Sequence, residues 1–471
     1  MYKAYVTELK NVRKHPNADR LLLGDCFGNT VCVSTDYQEG QIGVYFPTDG
    51  QLSVEFAETN NLLRKKDENG NNISGYMDPD KRNVTAIRLR GEKSDGLFMP
   101  LSCLDYCFDD GAATHLKVGD TIDIVNGHEI CCKYIPRRKA RNGATNSGNR
   151  TRKAKVNIAP LFVEHADTEQ LAYNLSAFKP GDEIEITLKM HGTSQRTGYL
   201  PMLKGYKKTL LDKILRREGT PIYDWDYVSG TRRVVLDNYE GGYYGSNEFR
   251  QRHHEAFYGK LNKGETVYYE VVGFTHTGVP IMGNGNNEKV GKDFVKQYGK
   301  ETVFSYGCEP HPETWIPHDH CELEPKKPQS DIYVYRMTMT NEDGDTVEYT
   351  PDFMRHRCEQ MGVKCVPVLW KGTIPYTIPD MDSDVPGARV VMANETNAGE
   401  WIQKVAEQYY DGPDPVGKTH IREGVVIRIL NRPGFSAYKH KNFNFKVLEG
   451  IIKNSADAPD MEEAEEIGGQ E

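Results

Sequence analysis

The sequence predicts an α+β protein of two parts, a small N-terminal β-barrel and a larger C-terminal domain of antiparallel sheets flanked by helices. Three observations lead to this prediction. Short β-type runs separated by turn signals fill the first part, and strands mix with helices in the second. A Gly/Asn/Ser-rich stretch (NGATNSGN, 142–149) lies between them and marks a domain boundary. A chain of 471 residues is also too long for one ordinary core.

Seven short runs predict the strands of the N-terminal domain, residues 1–130. They are YVTELKNV, LLLGDCF, TVCVST, QIGVYFP, VTAIRLRG, GLFMPL and DTIDIV. The stretches HPNADRLLLGDCFGN (15–29) and AIRLRGEKSDGLFMPL (86–101) resemble the OB-fold domain of tRNA-binding modules and of one RNA ligase family. We therefore expect an OB-like barrel that binds nucleic acid. The alternative is a barrel that only packs against the second domain.

Residues 131–156 are predicted to form a basic linker. Lys133–Lys155 contains nine Lys/Arg and no Asp/Glu, which is typical of a solvated linker and also fits one that follows a phosphate backbone. Its candidate nucleic-acid contacts are Arg137, Arg138, Arg150 and Arg152. Residues 455–471 carry seven acidic and no basic residues, and we expect a disordered acidic tail without a site.

The C-terminal domain, residues 157–454, is predicted from one helix and several strands. KKTLLDKILRREG (207–219) has the pattern of an amphipathic helix, with Leu210, Leu211, Ile214 and Leu215 on one face. EIEITLK, TVYYEVVGF, DIYVYRMTM, GVVIRIL and FNFKVL have the pattern of strands.

Composition places the chain among soluble globular proteins, with 38% apolar and 27% charged residues. No apolar run approaches the roughly 20 residues that span a bilayer, and the N-terminus has no secretory signal. We expect a cytoplasmic or nuclear protein that uses no membrane, whose ten cysteines are thiols. The sequence implies no protein partner.

The segment Lys189-Met-His191-Gly192-Thr-Ser indicates covalent chemistry. A lysine at a strand end before a tight glycine turn can present its amine to a nucleotide phosphate, provided that the amine loses its proton. A single K-x-x-G is weak evidence, because it is more often an exposed lysine before a turn.

Four further segments follow in order: SGTRR (229–233), YYEVVG (268–273) with its companion IYVYR (332–336), EGVVIR (423–428) and KHKNF (439–443). Transfer of a nucleotide develops negative charge on phosphate, so the pocket needs fixed cations; Lys439 and Lys441 alternate on a strand and share one face. Glu423 is a suitable hard ligand for Mg²⁺ or Mn²⁺. We expect Lys189, Glu423, Lys439 and Lys441 to be catalytic.

Together the five segments resemble motifs I, Ia, III/IIIa, IV and V of the covalent nucleotidyltransferases, whose domain is of the DNA-ligase, ATP-grasp-like type. The resemblance implies that Lys189 captures AMP from ATP. It also implies that Glu270 binds a ribose hydroxyl, that Tyr335 stacks on adenine, and that Arg232 contacts ribose and the acceptor phosphate. His191 and Gly192 of motif I join these three as expected nucleotide-binding residues.

Motif I and the domain order resemble those of RNA ligases. K-x-H-G-[ST] is typical of ligases that join nicked or paired RNA, whereas DNA ligases and capping enzymes usually read K-x-D-G. A β-rich domain before the nucleotidyltransferase domain is similar to the fifth RNA ligase family. This implies ATP, a divalent cation and RNA or an RNA-containing duplex as partners. The implied path runs through lysyl-AMP and an adenylylated 5′ end to a sealed strand with ribonucleotides on the 3′-OH side.

Three alternative functions stay open: a DNA ligase, a GTP-using capping enzyme, and a non-catalytic OB-fold RNA-binding protein.

A separate cluster of cysteines and histidines has the ligand types for structural zinc: Cys308, His311, His318, His320 and Cys321. Its spacing matches no standard zinc finger, and a Pro-rich loop with incidental histidines is the commoner case.

Overall fold

A computed structural model describes residues 2–69, 72–111, 113, 115–135, 158–215, 219–236, 239–240, 244, 246–311, 327–380 and 389–454. The fold is α+β with mostly antiparallel sheets. It divides into two compact units. Unit 1 comprises Met1–Arg138, Gly285–Glu301 and Asn442–Asp460, and unit 2 comprises Lys139–Asn284, Thr302–Lys441 and Met461–Glu471.

The strands of the described residues up to 135 are β1 (Ala4–Glu8), β2 (Lys10–Lys14), β3 (Leu21–Cys26), β4 (Asn29–Ser34), β5 (Ile42–Phe46), β6 (Gly50–Leu52), β7 (Lys65–Lys66), β8 (Asn72–Ser74), β9 (Asn83–Val84), β10 (Ala86–Leu89), β11 (Glu92–Asp95), β12 (Leu97–Pro100), β13 (Thr121–Ile122), β14 (Ile124–Val125), β15 (His128–Glu129) and β16 (Cys131–Lys133).

The strands of the later described residues are β17 (Glu169–Gln170), β18 (Glu183–Leu188), β19 (Thr193–Lys207), β20 (Thr220–Gly230), β21 (Val235–Leu236), β22 (Glu265–Gly273), β23 (Gly285–Asn286), β24 (Glu301–Thr302), β25 (Ser330–Thr340), β26 (Thr346–Glu348), β27 (Lys364–Cys365), β28 (Val368–Thr373), β29 (Thr377–Pro379), β30 (Val390–Met392), β31 (Gly424–Ile429) and β32 (Ser436–Lys441). The α-helices are α1 (Val54–Thr59), α2 (Leu210–Ile214), α3 (Glu248–Glu255), α4 (Lys292–Tyr298), α5 (Pro351–Met361), α6 (Asn397–Glu407) and α7 (Phe443–Asn454).

Unit 1 is built from several small sheets around one apolar core. The largest has the order β12-β5-β1-β13, and β2-β3-β4 and β16-β6-β9 form two three-stranded sheets. Val6, Val44, Phe46 and Phe56 are fully buried in the core between them. The expected β-rich unit is therefore present, but its described strands do not join into one closed barrel sheet. Many of these strands are too short to continue the ladder from one sheet to the next.

The segment FNFKVL begins helix α7 and is not the strand that its alternating pattern predicts. The carbonyl oxygen of the Asn442 side chain accepts from the backbone N–H groups of Asn444 and Phe445, which caps the first turn. Phe445 and Leu448 are then buried on one helical face within unit 1. Two phenylalanines at i and i+2 fit the start of such a face as well as they fit a strand.

The smaller sheet of unit 2 has the order β17-β32-β31-β18-β28. Residues paired directly across an antiparallel ladder share a face, so the register separates an apolar from a polar side. Ile184, Ile186, Val425 and Ile427 are fully buried in a core that also contains Ala398, Ile402 and Ala406 of α6. The opposite face carries polar side chains of the same strands.

The larger sheet of unit 2 has the order β21-β20-β19-β22-β25-β26, with β27 pairing parallel to β25. Leu200 and Val228 pack on one side with Phe162 of the segment before β17. On the other side Phe257 contacts the ring of Tyr269. The hairpin β19–β20 extends far along this sheet, with Arg196 paired to Gly230 at its base and Lys207 to Thr220 near its tip.

Helix α2 lies after the tip of β19 and is shorter than the predicted amphipathic helix. Its Thr209–Asp212 capping box is formed, but Leu210 is 80% exposed, and Leu211, Ile214 and Leu215 are also exposed. The apolar pattern therefore predicts the helix but not its burial. The linker arginines and the acidic tail lie outside the described residues.

Candidate active site

Lys189 lies at the end of β18, on the polar face of the smaller sheet. Its backbone N–H donates to the carbonyl oxygen of Gly424 at 3.0 Å, which continues the β18–β31 ladder by one residue. Gly424 is opposite Lys441 in the β31–β32 register, and Val426 is opposite Lys439. Because side chains alternate along a strand, Lys439 and Lys441 share one face, as the sequence predicts. This is the face that Lys189 extends.

Gly424 makes this approach of strands possible. Its φ is +151°, and a Cβ there would meet the carbonyl oxygen of His440 and, at 2.8 Å, Cα of Lys441. The glycine of EGVV therefore lets β31 lie close against the strand that carries the two lysines.

Glu423 is the anion around which the cations gather. Its Oε1 lies 2.9 Å from Nζ of Lys189 and 3.3 Å from Nζ of Lys441. The Glu423 side chain is 3% exposed. Burial alone would raise its pKa, but the ammonium groups of Lys189 and Lys441, with His191, hold the pKa of Glu423 well below its usual range. The carboxylate is therefore ionised at neutral pH.

His191 contacts Glu423 from the other side. Its Nδ1 lies 3.4 Å from Oε2 of the carboxylate. Its ring meets Phe304 edge-on at 4.6 Å, and its backbone N–H donates to the hydroxyl of Tyr306 at 2.8 Å. His191, which the sequence assigns to nucleotide binding, thus lies against the Glu423 carboxylate.

Gly192 allows the loop after Lys189 to approach strand β22. A Cβ at this position would meet the carbonyl oxygen of Val271 and, at 2.9 Å, Cγ of Glu270. Only a glycine fits between the two without a shift of backbone or of Glu270. The K-x-x-G pattern therefore has a steric reason in this chain.

Three polar side chains form a second group on neighbouring strands of the larger sheet. Ser194 Oγ donates to Oε2 of Glu270 at 3.3 Å and lies 3.4 Å from the hydroxyl of Tyr335. They come from β19, β22 and β25. Ser194 follows Lys189 by five residues, so the segment 189–194 joins this second group to the group around Glu423.

His165 lies between Tyr335, which its ring contacts, and Arg232, which its backbone contacts. Arg232 Nε is 3.2 Å from Oδ1 of Asp167, and the backbone N–H of His165 donates to the Arg232 carbonyl oxygen at 3.2 Å. The His165 ring is 5.2 Å from that of Tyr335. Burial, then the charges of cations that include Arg232 and Lys189, lowers the pKa of His165 well below its usual value.

The two groups affect the same buried side chains. Burial is the largest cause of the lowered pKa of His165, and the charges of Arg232 and Lys189 add to it. Burial likewise raises the pKa of Tyr306, and the charges of Glu423 and Glu270 add to that. Residues predicted from separate motifs thus form two groups within electrostatic range of the same region of unit 2. His165, Tyr306 and Asp167 belong to this region and were not predicted, since none of them lies in a motif.

Arg250 supports the site from behind the larger sheet. It is fully buried, and its guanidinium donates to the Ser194 carbonyl oxygen at 2.9 Å and to Thr193 Oγ1 at 2.6 Å. Its burial and these bonds indicate a structural role.

The Cys/His segment has no zinc geometry in the described part of the chain. Cys308 is buried, and burial raises the pKa of its thiol to about 12. His318, His320 and Cys321 lie outside the described residues. Within those residues no three His, Cys, Asp or Glu side chains are grouped as metal ligands, and no helix has the length and apolar character needed to traverse a bilayer.

Solved structures match the chain, although no protein-family model and no curated protein does. A lysine-to-alanine mutant of Naegleria gruberi RNA ligase with ATP and Mn gives a TM-score of 0.51 at 16% identity, covering 94% of this chain and 98% of that one. A glutamate-to-alanine mutant with AMP and Mn gives 0.51 and 16% over 94% and 97%. An apo aspartate-to-alanine mutant gives 0.51 and 17% over 94% and 96%. The chain therefore has the fold of these RNA ligase structures along nearly its whole length.

Proposed function

We propose that this chain is an ATP-dependent RNA ligase that carries AMP on Lys189. The observation that carries the proposal is the pairing of Lys189 and Lys441, both half-buried, with the buried Glu423, which joins a lysine after β18 to residues more than 200 positions later. A structural ion pair needs only one cation for one carboxylate. Two ammonium groups on one buried carboxylate leave an excess of positive charge, which suits a phosphate ligand.

In the first step, the Lys189 amine attacks the α-phosphorus of ATP. A P–N bond forms, the bond from the α-phosphorus to the bridging oxygen breaks, and pyrophosphate leaves with that electron pair. The amine attacks only when deprotonated, and a carboxylate at 2.9 Å favours the protonated form. The Lys189–Glu423 pair must therefore open or be neutralised before attack.

A divalent cation fits this requirement. Glu423 Oε2 is buried and faces Nδ1 of His191 at 3.4 Å, so a hard oxygen ligand lies beside the amine. Bound there, Mg²⁺ or Mn²⁺ would offset the carboxylate charge and polarise phosphate oxygens. Naegleria gruberi RNA ligase, whose fold this chain shares, has been solved with ATP and Mn.

The second polar group fits the nucleoside. Glu270 and Ser194 would bind a ribose hydroxyl, and the Tyr335 ring would stack on adenine. Gly192 keeps the loop close to Glu270. Lys439 and Lys441 would bind the phosphates, and Arg232, with half-exposed Asp167 as its resting partner, would bind the acceptor phosphate.

The remaining steps transfer AMP to an RNA 5′-phosphate and then join that end to a 3′-hydroxyl with release of AMP. We extend the proposal to nicks in duplexes with ribonucleotides on the 3′-OH side. Unit 1, read as an OB-like domain, and the linker residues Arg137, Arg138, Arg150 and Arg152 would bind the nucleic acid. Exposed Lys10 and Lys14 on β2 suit that role.

The test is incubation of the purified chain with α-labelled ATP or GTP and Mn²⁺. We expect covalent AMP from ATP alone, none on Lys189→Ala, and sealing of nicked RNA but not of all-DNA nicks by the wild type. The Lys189→Ala protein should still seal a strand that is already adenylylated. Label from GTP would indicate a capping enzyme, equal sealing of DNA a DNA ligase, and no label at all a non-catalytic RNA-binding protein.

A further inference from the structure

Tyr306 is a fully enclosed tyrosine with an unusual backbone. It is 4% exposed, lies between β24 and β25, and has a φ of +50°. A bulky residue rarely adopts this left-handed region, and such strain persists only where the surrounding structure fixes it. Gly307 follows it with a φ of +83°, a conformation that glycine adopts without strain. The strained position in this turn is therefore the tyrosine.

The Tyr306 hydroxyl reaches the loop that carries the proposed nucleophile. It accepts the backbone N–H of His191 at 2.8 Å, a bond between residues 115 positions apart in the chain. Burial raises the pKa of the Tyr306 phenol well above its usual value, so the hydroxyl stays neutral. The bond therefore fixes the peptide two residues after Lys189 under all physiological conditions.

The same aromatic block contacts the segment before Glu423. The His420 ring lies 4.7 Å from that of Tyr306 and 5.1 Å from that of Phe304, and Phe304 in turn packs on His191. His420 is fully buried and precedes Glu423 by three residues. One block thus contacts both segments whose side chains form the Lys189–Glu423 pair.

We propose that Tyr306 is a positioning residue that sets the place of the Lys189 amine through the backbone of His191. This inference rests on the proposed function. A phenylalanine would fill the same space and pack on His420 equally well, so packing alone does not require the hydroxyl. The hydroxyl matters because an amine must lie in line with the bond that breaks, and small displacements of a nucleophile reduce rate far more than affinity.

The experiment is Tyr306→Phe in the full chain, with single-turnover AMP transfer measured over a range of ATP concentrations. We expect the maximal rate of lysyl-AMP formation to fall by about ten- to a hundredfold while the ATP concentration for half-maximal rate changes less than about twofold. Sealing of a pre-adenylylated strand should be retained. Hydrogen exchange should show that the His191 amide exchanges faster in the variant.

The matched control is Tyr45→Phe, which removes another buried tyrosine hydroxyl bonded to a backbone group, the Asp95 carbonyl oxygen at 2.7 Å in unit 1. It should leave AMP transfer unchanged. An unchanged maximal rate in Tyr306→Phe, or a weaker ATP affinity as its only effect, would overturn the inference. If Tyr306→Phe does not fold, Phe304→Leu loosens the packing on His191 with the hydroxyl in place and must lower the maximal rate in the same way.

The two failures are distinguishable. If the wild type forms no lysyl-AMP, the proposed function is wrong, whatever Tyr306 does. The exchange rate of the His191 amide still tests the contact, since it needs no activity. If the wild type transfers AMP and the His191 amide exchanges equally fast in both proteins, only the role of Tyr306 is wrong.

Discussion

The half-buried Lys189 ammonium lies 2.9 Å from one oxygen of the buried Glu423 carboxylate, and His191 Nδ1 lies 3.4 Å from the other. Such a pair is a resting arrangement, because the same contact that orients the amine also favours its protonated form. The Lys189–Glu423 ion pair therefore has two consequences. It fixes the amine in place, and it keeps the amine protonated and unreactive until the carboxylate charge is offset.

Replacement of Glu423 by glutamine tests this arrangement. Glutamine keeps the size of the side chain but removes the negative charge that fixes Lys189 and Lys441 and that suits a divalent cation. We expect lysyl-AMP formation to fall by about 10²–10³-fold, the range found when one preorganised polar group of an active site is lost. The measurement is single-turnover AMP transfer from ATP at several Mn²⁺ concentrations.

Glu185→Gln is the control for this change. Glu185 is also buried on the smaller sheet, where it pairs with Arg355 at 2.7 Å, away from the amine. Its loss should lower stability without abolishing labelling of Lys189. A Glu423→Gln protein that labels as well as Glu185→Gln would contradict a role of Glu423 in the chemistry.

Gly192→Ala tests the close approach of the loop after Lys189 to β22. The added Cβ would meet the Val271 carbonyl oxygen and Cγ of Glu270, so either the loop or Glu270 must move. We expect a loss of about 1–3 kcal/mol in unfolding free energy, as for other overpacked sites, together with weaker ATP binding. Urea unfolding and ATP titration measure the two effects.

Gly434→Ala is the matched change, because nothing lies within 4 Å of a Cβ at that exposed loop position. It should alter the unfolding free energy by less than about 0.5 kcal/mol. Equal effects of the two substitutions would mean that the Gly192 contact is not tight.

The grouping of part of the site was predictable from residue type and order. The sequence places Lys189, Glu423 and Lys441 in one expected phosphate pocket, and the structure brings these three side chains together. Tyr306 and His420 follow from no such rule. A tyrosine before a glycine has the same sequence signature as any turn, and its contact with His191 exists only in the folded chain.

The errors in the fold have a similar origin. FNFKVL alternates as a strand does, but a helix that begins with phenylalanines at i and i+2 gives the same letters, and only the cap at Asn442 distinguishes them. The pattern of α2 predicts an apolar face but carries no information about what covers that face.

Two neighbouring histidines predict how stability depends on pH. Burial lowers the pKa of both His253 and His254 from 6.5 to about 4. Below pH 6.5 the imidazoles of the unfolded chain bind protons that those of the folded chain do not. The two histidines therefore leave the free energy of unfolding undiminished above pH 6.5 and lower it as the pH decreases towards 4. Each histidine contributes a slope of up to about 1.4 kcal/mol per pH unit.

Urea unfolding at several pH values between 4 and 7 measures this slope. Replacing His253 and His254 together by glutamine should flatten it, whereas His115→Gln, at an exposed imidazole, should not. If the slope of the double variant equals that of the wild type, the two histidines are protonated equally in the folded and unfolded chains.

Substitution of the linker arginines separates binding of RNA from chemistry on ATP. Replacing Arg137, Arg138, Arg150 and Arg152 by serine should weaken nicked-duplex binding. Each lost phosphate contact should lower the magnitude of the slope of log affinity against log salt by about 0.9, and AMP transfer to Lys189 should be unchanged. Four Arg→Lys changes are the control, since a point charge is enough to follow a phosphate backbone. A serine variant that keeps the wild-type salt slope would show that the linker only connects two domains, and the phosphate contacts would then have to come from the units themselves.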